Sequence, residues 1–545
     1  MFLPVLFCLI AAFPLFSQEN HSGNGEPPSL EGASSLEGAA STENTLPAEA
    51  VVLQIPEGEY QLYVIVAYEF NVKGRSRPGA LLYKLIDNGE FRKGETITGK
   101  TNLVKYISDI TQIYTNQRVL KDNVEVNCLI GDQNDDGTYP VTITINVEDT
   151  WNIIAMPRPY YKNNVIDITI KARDYNFLGT MYPLRIDLGY SYNEDKRHAF
   201  LLGVFFDIPF NALGYYWDFT FDNTFQYRVD APFYYQNETG ISMELPFHST
   251  TFTFGLNERF FLNEENSDWA KDNGYGPYQD GLYMTSNPYV SWRIPTGLTV
   301  SRYGGLIYTP RISSTFYHEF PKWPLDEFRK GPFLSFGHSL GFGKIDWHSN
   351  YREGLSFSMG NSYQYDFNQM IYDISFDFTG IGHFIISDFF AISSRLMYKY
   401  WYSSSKSKYG EYASSYIRGV TDSLITAYQM FSLNLDFPFR LFIFTPSKWF
   451  NSKITFFDFE MHASPIIDLA VYYQKDFAAD GTTRYYPGSY IATGGLELVV
   501  FPAFMRNLYV RLGFAVNLKE FLTARPIKIP DGDNREIYLI MGHFY

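Results

Sequence analysis

Residues 217–228 read WDFTFDNTFQYR, and the side chains along this stretch alternate between two kinds. Trp217, Phe219 and Phe221 fall on one face of an extended chain, whereas Asp and Thr residues lie between them on the other. Successive side chains of a β-strand point to opposite faces. A period of two, with one apolar and one polar face, therefore predicts a strand that separates an apolar environment from water.

The same alternation recurs in residues 372–379 and 508–517, with aromatic residues frequent on the apolar faces. Such segments have about the length of a transmembrane β-strand, roughly ten residues. A soluble β-sandwich would show the same alternation. Backbone groups in lipid must all be paired, however, and strands achieve this only in a closed barrel. We predict a mainly β chain that ends in a transmembrane antiparallel β-barrel over residues 159–545.

The composition agrees with a membrane barrel and argues against other classes. The 545 residues include 44 Tyr and 48 Phe, and transmembrane barrels concentrate aromatic residues at the two membrane interfaces. The net charge of -15 argues against nucleic acid as a partner, because phosphate binding needs clustered Lys and Arg. Cys8 and Cys128 are the two cysteines of the chain, so no cysteine metal cluster can form.

The N-terminal region divides into two segments. Residues 1–17 are a short apolar run ending in the small residue Ser17, which predicts a secretory signal peptide. Residues 18–54 are rich in Ser, Glu, Gly, Pro and Ala. They hold too little apolar surface to fold, so a disordered acidic linker is predicted.

Residues 55–158 predict a small α+β domain with the order β-α-α-β-β. The predicted elements are a strand, two helices and two further strands. They cover Tyr60–Val72, Arg77–Leu85, Asn102–Leu120, Asn123–Ile130 and Val141–Val147. Residues 132–137 resemble the start of a calcium loop, but Ile143 stands where the bidentate Glu belongs. A hairpin turn is predicted there, and no metal or cofactor is expected.

Three features of this domain resemble a polypeptide-transport-associated (POTRA) domain. They are Val72-Lys73-Gly74 at the end of the first strand, the turn at Gly94, and a helix that ends near Ile113–Arg118. The resemblance leaves two uses open. The edge of the sheet could pair with an extended client polypeptide, or the domain could be a plain spacer.

Asn176-Phe177-Leu178-Gly179 resembles the motif that leads into the first barrel strand in the BamA/TamA superfamily, the bacterial surface antigen family. The resemblance places the first strand from about Tyr182 and the last at Glu536–Tyr545. Phe544-Tyr545 matches the terminal aromatic signal of outer-membrane barrels. Sixteen strands are what the resemblance implies.

Tyr416-Ile417-Arg418-Gly419-Val420 resembles the Val-Arg-Gly loop of the same superfamily. The resemblance implies that this loop folds into the barrel lumen, where Arg418 pairs with acidic side chains of the wall. Asp468 is the first candidate partner and Glu497 the second. The alternatives are an extracellular loop arginine and ordinary carboxylates that face the lumen.

Residues 337–341, GHSLG, match the Gly-x-Ser-x-Gly pattern of lipases. That chemistry needs a strand, a sharp turn and a helix around the serine, whereas the alternation around Ser339 predicts a barrel strand. The protein is therefore not expected to be an enzyme, although an outer-membrane phospholipase stays a remote alternative.

The resemblance implies insertion or translocation of proteins at the outer membrane of a diderm bacterium, with the small domain in the periplasm. The expected partners are outer-membrane lipids, unfolded or extended client polypeptides, and periplasmic accessory proteins. A weak seam between the first and last strands would expose edge groups that template a client strand. The alternative is a passive channel or surface antigen with the same fold.

Overall fold

The computed structural model describes residues 61–89, 91–162, 165–192, 198–229, 233–262, 282–300, 304–321, 325, 330–404, 411–412, 416–420, 426–450, 455–477, 483–523 and 534–541. The predicted signal peptide, residues 1–17, and the predicted linker, residues 18–54, lie outside the described residues. Phe544 and Tyr545 also lie outside them. None of the helices in the described part of the chain has the length and apolar content needed to span a membrane.

A small α+β domain comes first. Its elements are β1 (Leu62–Lys73), α1 (Pro78–Gly89), β2 (Thr96–Thr98), α2 (Lys100–Thr115), β3 (Glu125–Ile130) and β4 (Thr138–Glu148). The sheet has the order β2-β1-β4-β3, in which β1 and β4 are parallel and the other pairs are antiparallel. Leu103, Ile107 and Ile110 of α2 pack into one core with Tyr63 and Ile65 of β1.

The elements predicted for the small domain are present, with boundaries shifted by a few residues. The short strand β2 was not predicted, and it covers the first part of the β1 edge. Residues 132–137 form the predicted hairpin turn between β3 and β4, in which Asp136 accepts hydrogen bonds from the backbone and hydroxyl of Thr138.

The remaining strands are antiparallel neighbours in a barrel sheet. They are β5 (Ile153–Lys162), β6 (Val165–Asp174), β7 (Leu184–Tyr192), β8 (His198–Ala212), β9 (Tyr215–Arg228), β10 (Tyr234–Phe247), β11 (Thr250–Leu262), β12 (Leu282–Thr299), β13 (Gly305–Glu319), β14 (Phe333–His348), β15 (Tyr351–Asp366), β16 (Ile371–Ser387), β17 (Phe390–Ser403), β20 (Gln429–Asp436), β21 (Phe439–Phe444), β22 (Phe459–Tyr473), β25 (Ser489–Pro502), β26 (Val510–Asn517) and β27 (Arg535–Met541). The barrel region also has two short hairpins, β18 (Glu411–Tyr412) with β19 (Thr426–Ala427) and β23 (Lys475–Phe477) with β24 (Thr483–Tyr485). Two short helices, α3 (Pro446–Trp449) and α4 (Leu518–Thr523), and a 3-10 turn at Phe177–Gly179 complete the described elements.

The strand order closes on itself, so that β27 lies beside β5. Among the described residues the barrel has 19 strand segments, more than the sixteen that the resemblance implies. β20 and β21 pair with the same two neighbours, β17 and β22, and therefore form one strand interrupted at Phe437 and Pro438.

The barrel begins earlier than predicted. β5 and β6 both precede the Asn176–Gly179 motif, so the first strand is not the one that follows Tyr182. The boundary predicted between residues 158 and 159 falls inside β5. Proline disfavours the interior of a strand, and β5 contains Pro157 and Pro159, so the sequence of this segment carries a weak strand signal.

Alternate side chains of the barrel strands form its outer surface. Ile241, Phe254, Ile312 and Phe336 are exposed there on four different strands. Neighbouring outer rings also pack together across strands, as Phe252 and Trp292 do with ring centroids 4.9 Å apart. An apolar surface of this extent marks contact with lipid or with another protein.

Candidate functional site

The site is centred on Arg418, in the segment between the short strands β18 and β19. Its side chain is only 2% exposed, although it belongs to a connection rather than to a strand. Ile417 and Val420 on either side are buried with Met397 and Met430 of the barrel wall. Ile417 and Val420 therefore pack against the barrel wall on both sides of Arg418.

Asp468 of β22 makes the most extensive contact with Arg418. The Nε and Nη2 atoms of Arg418 donate to the two carboxylate oxygens at 2.9 and 2.6 Å, and the backbone N of Arg418 donates to Oδ2 at 2.8 Å. This is the two-pronged geometry in which a guanidinium binds a carboxylate most strongly.

Glu497 and Asp436 complete the acidic surroundings of Arg418. Its Nη1 atom donates to Glu497 Oε1 at 3.1 Å and lies 2.6 Å from Asp436 Oδ1. The contact with Asp436 lacks the direction of a hydrogen bond, so we treat it as an ion pair that contributes charge. Breaking an ion pair with so little solvent around it leaves a buried charge uncompensated, which is strongly unfavourable.

A second arginine, Arg511, neutralises the charge of Glu497. Arg511 of β26 donates from Nε to Glu497 Oε2 at 3.0 Å, and its Nη2 contacts both oxygens of the same carboxylate. Tyr538 of β27 donates its hydroxyl hydrogen to Glu497 Oε1. Two guanidinium groups therefore face three carboxylates in one buried network.

The strand registers explain why these groups meet. Asp436, Asp468, Glu497, Arg511 and Tyr538 come one from each of β20, β22, β25, β26 and β27, which are successive strands of the wall. Gly513 lies between Glu497 and Tyr538 in the paired registers. A Cβ at Gly513 would lie 2.2 Å from the Tyr538 ring, so glycine there lets the phenol reach Glu497.

Gly419 follows Arg418 and turns the tip of the loop. Its φ is 82°, in the left-handed region that favours glycine. Its backbone N donates to Glu536 Oε2 of β27 at 2.9 Å, which ties the loop to the last strand. A Cβ at this position would lie 2.9 Å from both Ala515 Cβ and Val516 N.

Substitution Gly419→Ala is expected to lower the free energy of unfolding of the barrel by about 2–5 kcal/mol, because a left-handed backbone costs about 1–2 kcal/mol and overpacking about 1–3. Urea unfolding in detergent micelles measures this. Gly214→Ala is the matched control, since Gly214 has a φ of 80° and no heavy atom within 4 Å of its ideal Cβ. A loss no larger than that of the control would contradict the close packing of the loop tip.

The Asn176–Gly179 motif joins the small domain to the barrel. Asn176 is fully buried, and its amide nitrogen donates to Ser76 Oγ at 2.8 Å and to Asp149 Oδ2 at 3.0 Å. The backbone N of Arg77 donates to Gly179 O at 2.9 Å. Phe177 packs on Phe206 of β8, whereas Leu178 is exposed. The motif therefore fixes the joint between the two domains, two strands after the barrel begins.

Arg118 of the small domain donates hydrogen bonds to two connections between barrel strands. It donates to Ser349 O at 3.1 Å and to Asn350 Oδ1 at 3.0 Å in the β14–β15 turn, and its Nε contacts Arg506 O in the connection from β25 to β26. Its guanidinium lies 4.1 Å from the Trp347 ring. Burial, with Arg506 nearby, lowers the pKa of Arg118 to about 10.

Arg506 makes the reciprocal contact from the barrel. It donates to Leu120 O at 2.7 Å and to Thr115 O at 3.3 Å, and it pairs with Asp122. Each domain therefore sends one buried arginine to backbone carbonyls of the other. Hydrogen bonds from charged donors are roughly twice as strong as neutral ones.

Further contacts lie elsewhere around the barrel. Asn116 donates to Asp346 Oδ1 at 2.9 Å and accepts from Trp347 N at 2.8 Å. Tyr83 of α1 stacks on Tyr216 of β9 with ring centroids 3.8 Å apart. With the Asn176 joint between β6 and β7, the small domain contacts the barrel at four places in the strand order, three in connections between strands and one at Tyr216 near the start of β9. The domain therefore lies across this mouth of the barrel.

Several of these residues were not identified from the sequence. Asp436, Arg511 and Tyr538 belong to polar faces of barrel strands, and a single strand does not tell which faces meet a loop. Arg118 and Arg506 are 388 residues apart in the chain. The described residues hold no cluster of three or more His, Cys, Asp or Glu side chains suited to a metal ion.

Ser339 lies within β14, paired with Thr309 on β13 and Gly360 on β15. The GHSLG pattern therefore continues through a regular strand and lacks the turn and helix that a nucleophilic serine needs. The predicted strand at this position is confirmed.

Neither the scan against protein-family models nor the search of curated proteins finds a match. Among solved structures, CdiB from Acinetobacter baumannii is similar over 88% of this chain and 73% of its own, with 11% identity and a TM-score of 0.44. BamA from Haemophilus ducreyi lacking POTRA domains 1-3 is similar over 88% and 83%, with 13% identity and a TM-score of 0.33. The siderophore receptor PirA from Acinetobacter baumannii is similar over 83% and 72%, with 9% identity and a TM-score of 0.31. Identities and TM-scores in this range do not assign the chain to a family.

Proposed function

We propose that this protein is an outer-membrane β-barrel of the BamA/TamA type that inserts or translocates other proteins. The observation that carries the proposal is the Arg418 loop. Its Arg-Gly tip reaches the inner wall and contacts the two carboxylates, Asp468 and Glu497, to which the sequence resemblance pointed. This geometry is specific to a folded-back loop, and an arginine in an outer loop would have no such contacts.

The proposed location follows from the barrel surface. Exposed apolar side chains on many strands fit a lipid environment, and outer-membrane lipids are therefore the first partner. The small domain, which we take as POTRA-like, would lie in the periplasm. Its exposed edge strand β3 is the surface on which periplasmic accessory proteins or clients could pair by adding a strand.

The proposed mechanism uses the seam between β5 and β27. An extended client strand pairs with backbone groups at an opened seam, and the client then passes into the membrane or across it. The Arg418 loop is tied to β27 through Gly419 and Glu536, and the network also includes Tyr538. The loop thereby holds the last strand in the wall, on one side of the seam.

The position of the small domain across the barrel mouth favours gated transport as the function, rather than passive diffusion through an open channel. A passive channel needs an open path for solutes, whereas here two buried arginines hold the domain on the turns. A surface antigen would need neither the lumen loop nor this cover.

Depletion of the protein from its own cells tests the proposal. We expect other outer-membrane barrels to fall in amount, measured by quantitative mass spectrometry of outer-membrane fractions, while inner-membrane proteins stay constant as the control. Unchanged barrel levels, together with unchanged levels of secreted proteins, would contradict the proposed function.

A further inference from the structure

The end of β21 and the connection that follows it carry a cluster of aromatic side chains, which we call the aromatic ledge. Its members are Phe442, Phe444, Trp449, Phe450, Phe456 and Phe457. Trp449 is 69% exposed and Phe450 is 80% exposed. Single exposed apolar residues are common on protein surfaces, but a contiguous group marks contact with an apolar partner.

The aromatic ledge belongs to a folded hairpin. Asp458 is buried, and its Oδ1 accepts a hydrogen bond from Ser447 N at 3.0 Å. The backbone O of Asp458 accepts from Ala503 N at 2.8 Å, which ties the hairpin to the connection between β25 and β26. The Trp449 ring meets the Phe444 ring edge-on, with centroids 5.2 Å apart. The exposed rings are therefore held in place by the fold.

The strand register places the start of the ledge on the outer face of the barrel. Along β22 buried and more exposed residues alternate, and Asp468 belongs to the buried set that faces the lumen. Met461 and Phe459 belong to the other set. Phe442 pairs with Met461, and Phe444 pairs with Phe459. Paired residues of neighbouring strands project on the same side of a sheet, so the ledge continues the outer apolar surface of the wall.

The free edge of β21 indicates how deep the ledge lies. Among the described residues, β17 pairs with β21 only at Phe390 and Phe439, and Arg440 N donates to Phe389 O at 2.8 Å. From there to Phe444, β22 is the neighbour with which β21 pairs. Unpaired backbone groups are costly in hydrocarbon but are hydrated among lipid headgroups. Exposed aromatic rings beside such an edge fit the boundary between headgroups and acyl chains.

The ledge lies at the barrel mouth that the small domain covers. Phe456 packs on Phe504 in the connection between β25 and β26, with ring centroids 4.6 Å apart. Phe504 O accepts a hydrogen bond at 3.0 Å from Thr150 Oγ1, in the segment that joins the small domain to β5. Lys448 is exposed beside Trp449, and an ammonium group binds lipid phosphate. Rings and cation together match the chemistry of a phospholipid surface.

We propose that the aromatic ledge inserts into the headgroup layer of the periplasmic leaflet and binds phospholipid there. The rings contact the upper parts of the acyl chains, and Lys448 contacts headgroup phosphate. Because Phe504 joins the ledge to the docked small domain, this anchor also sets the distance of that domain from the membrane. The inference rests on the proposed outer-membrane location and adds a lipid contact beyond the strands of the wall.

Electron paramagnetic resonance of the full-length protein in liposomes of phosphatidylethanolamine and phosphatidylglycerol tests the inference. Spin labels are attached to single cysteines in a Cys8→Ser, Cys128→Ser background. The test site is Phe450→Cys. The matched controls are Ile312→Cys on the outer wall and Leu129→Cys on β3 of the small domain, both at exposed positions. Collisions with oxygen, which concentrates in lipid, are compared with collisions with a nickel chelate, which stays in water.

We expect the ratio of oxygen to nickel collisions at residue 450 to exceed that at residue 129 several-fold and to approach that at residue 312. Equal ratios at residues 450 and 129, with a lipid-like ratio at residue 312, would overturn this inference and leave the proposed function standing. A water-like ratio at residue 312 as well would overturn both. Few collisions with either reagent at residue 450 would show protein packed on the ledge, which also contradicts a lipid anchor.

Quenching by brominated phospholipids tests the depth independently. The contribution of Trp449 is the difference between the wild-type protein and the Trp449→Phe variant. Trp292, exposed on the outer face of β12, is the matched control and is measured with Trp292→Phe. Bromine near the headgroups is expected to quench Trp449 more strongly than bromine near the chain ends, with the opposite order for Trp292. Absence of quenching at Trp449, or stronger quenching by the deeper bromine, would count against the headgroup layer.

Discussion

Replacing Arg418 by alanine is expected to lower the free energy of unfolding of the barrel by about 3–5 kcal/mol. The substitution leaves Asp468 and Asp436 without their guanidinium partner in a place that solvent scarcely reaches. Arg511 continues to neutralise Glu497, so the loss is concentrated on the other two carboxylates. Urea unfolding in detergent micelles, followed by tryptophan fluorescence, measures the change.

The control for this prediction is Arg259→Ala. Arg259 pairs with Glu238 at 2.6 Å, but its side chain is 49% exposed. An exposed ion pair contributes about 0–1 kcal/mol, so this variant should unfold almost as the wild-type protein does. Equal losses in the two variants would show that Arg418 is not held in a buried network. Exchanging the charges of Arg418 and Asp468 should recover part of the stability that each single change removes.

Removing both arginines between the domains is expected to open the barrel mouth. In the double variant Arg118→Ala, Arg506→Ala, several charge-assisted hydrogen bonds disappear, each worth about 1.5–3 kcal/mol. The open population should rise by at least about a hundredfold, since each 1.4 kcal/mol is a factor of about ten. Conductance of single barrels in planar lipid bilayers measures the opening directly.

Lys121→Ala is the matched control for the predicted opening of the barrel mouth. Lys121 is a neighbouring cation of the small domain that pairs with Glu148 of the same domain at 2.6 Å, and half of its side chain is exposed. Its loss should leave conductance at the wild-type level. A wild-type protein that already conducts as the double variant does would contradict the closed mouth.

The barrel could be predicted because its signal is local. The alternation in residues 217–228 and 372–379 needs no knowledge of distant residues, and both segments are strands of the barrel. β5 was not predicted. Pro157 and Pro159 disfavour a strand interior, and the pairing of this segment with β6 depends on residues that the segment itself does not contain. The strand number likewise depends on how the segments close, which no single segment encodes.

The site was predictable in part. Arg418, Asp468 and Glu497 could be named because the loop and the two wall segments resemble a known pattern. Asp436, Arg511 and Tyr538 could not, because polar residues on the inner face of a strand look alike until the register places one beside another. The contacts of Arg118 and Arg506 join distant parts of the chain to backbone carbonyls, and a carbonyl acceptor leaves no mark in a sequence.

The most direct measurement of the central claim is the folding rate of an unfolded outer-membrane barrel polypeptide in liposomes that contain this protein. We predict that folding is several-fold faster than in empty liposomes, and that the Arg418→Ala variant loses most of this acceleration. Folding at the rate of empty liposomes, accompanied by a steady ion leak through the wild-type protein, would contradict the account and identify a passive pore.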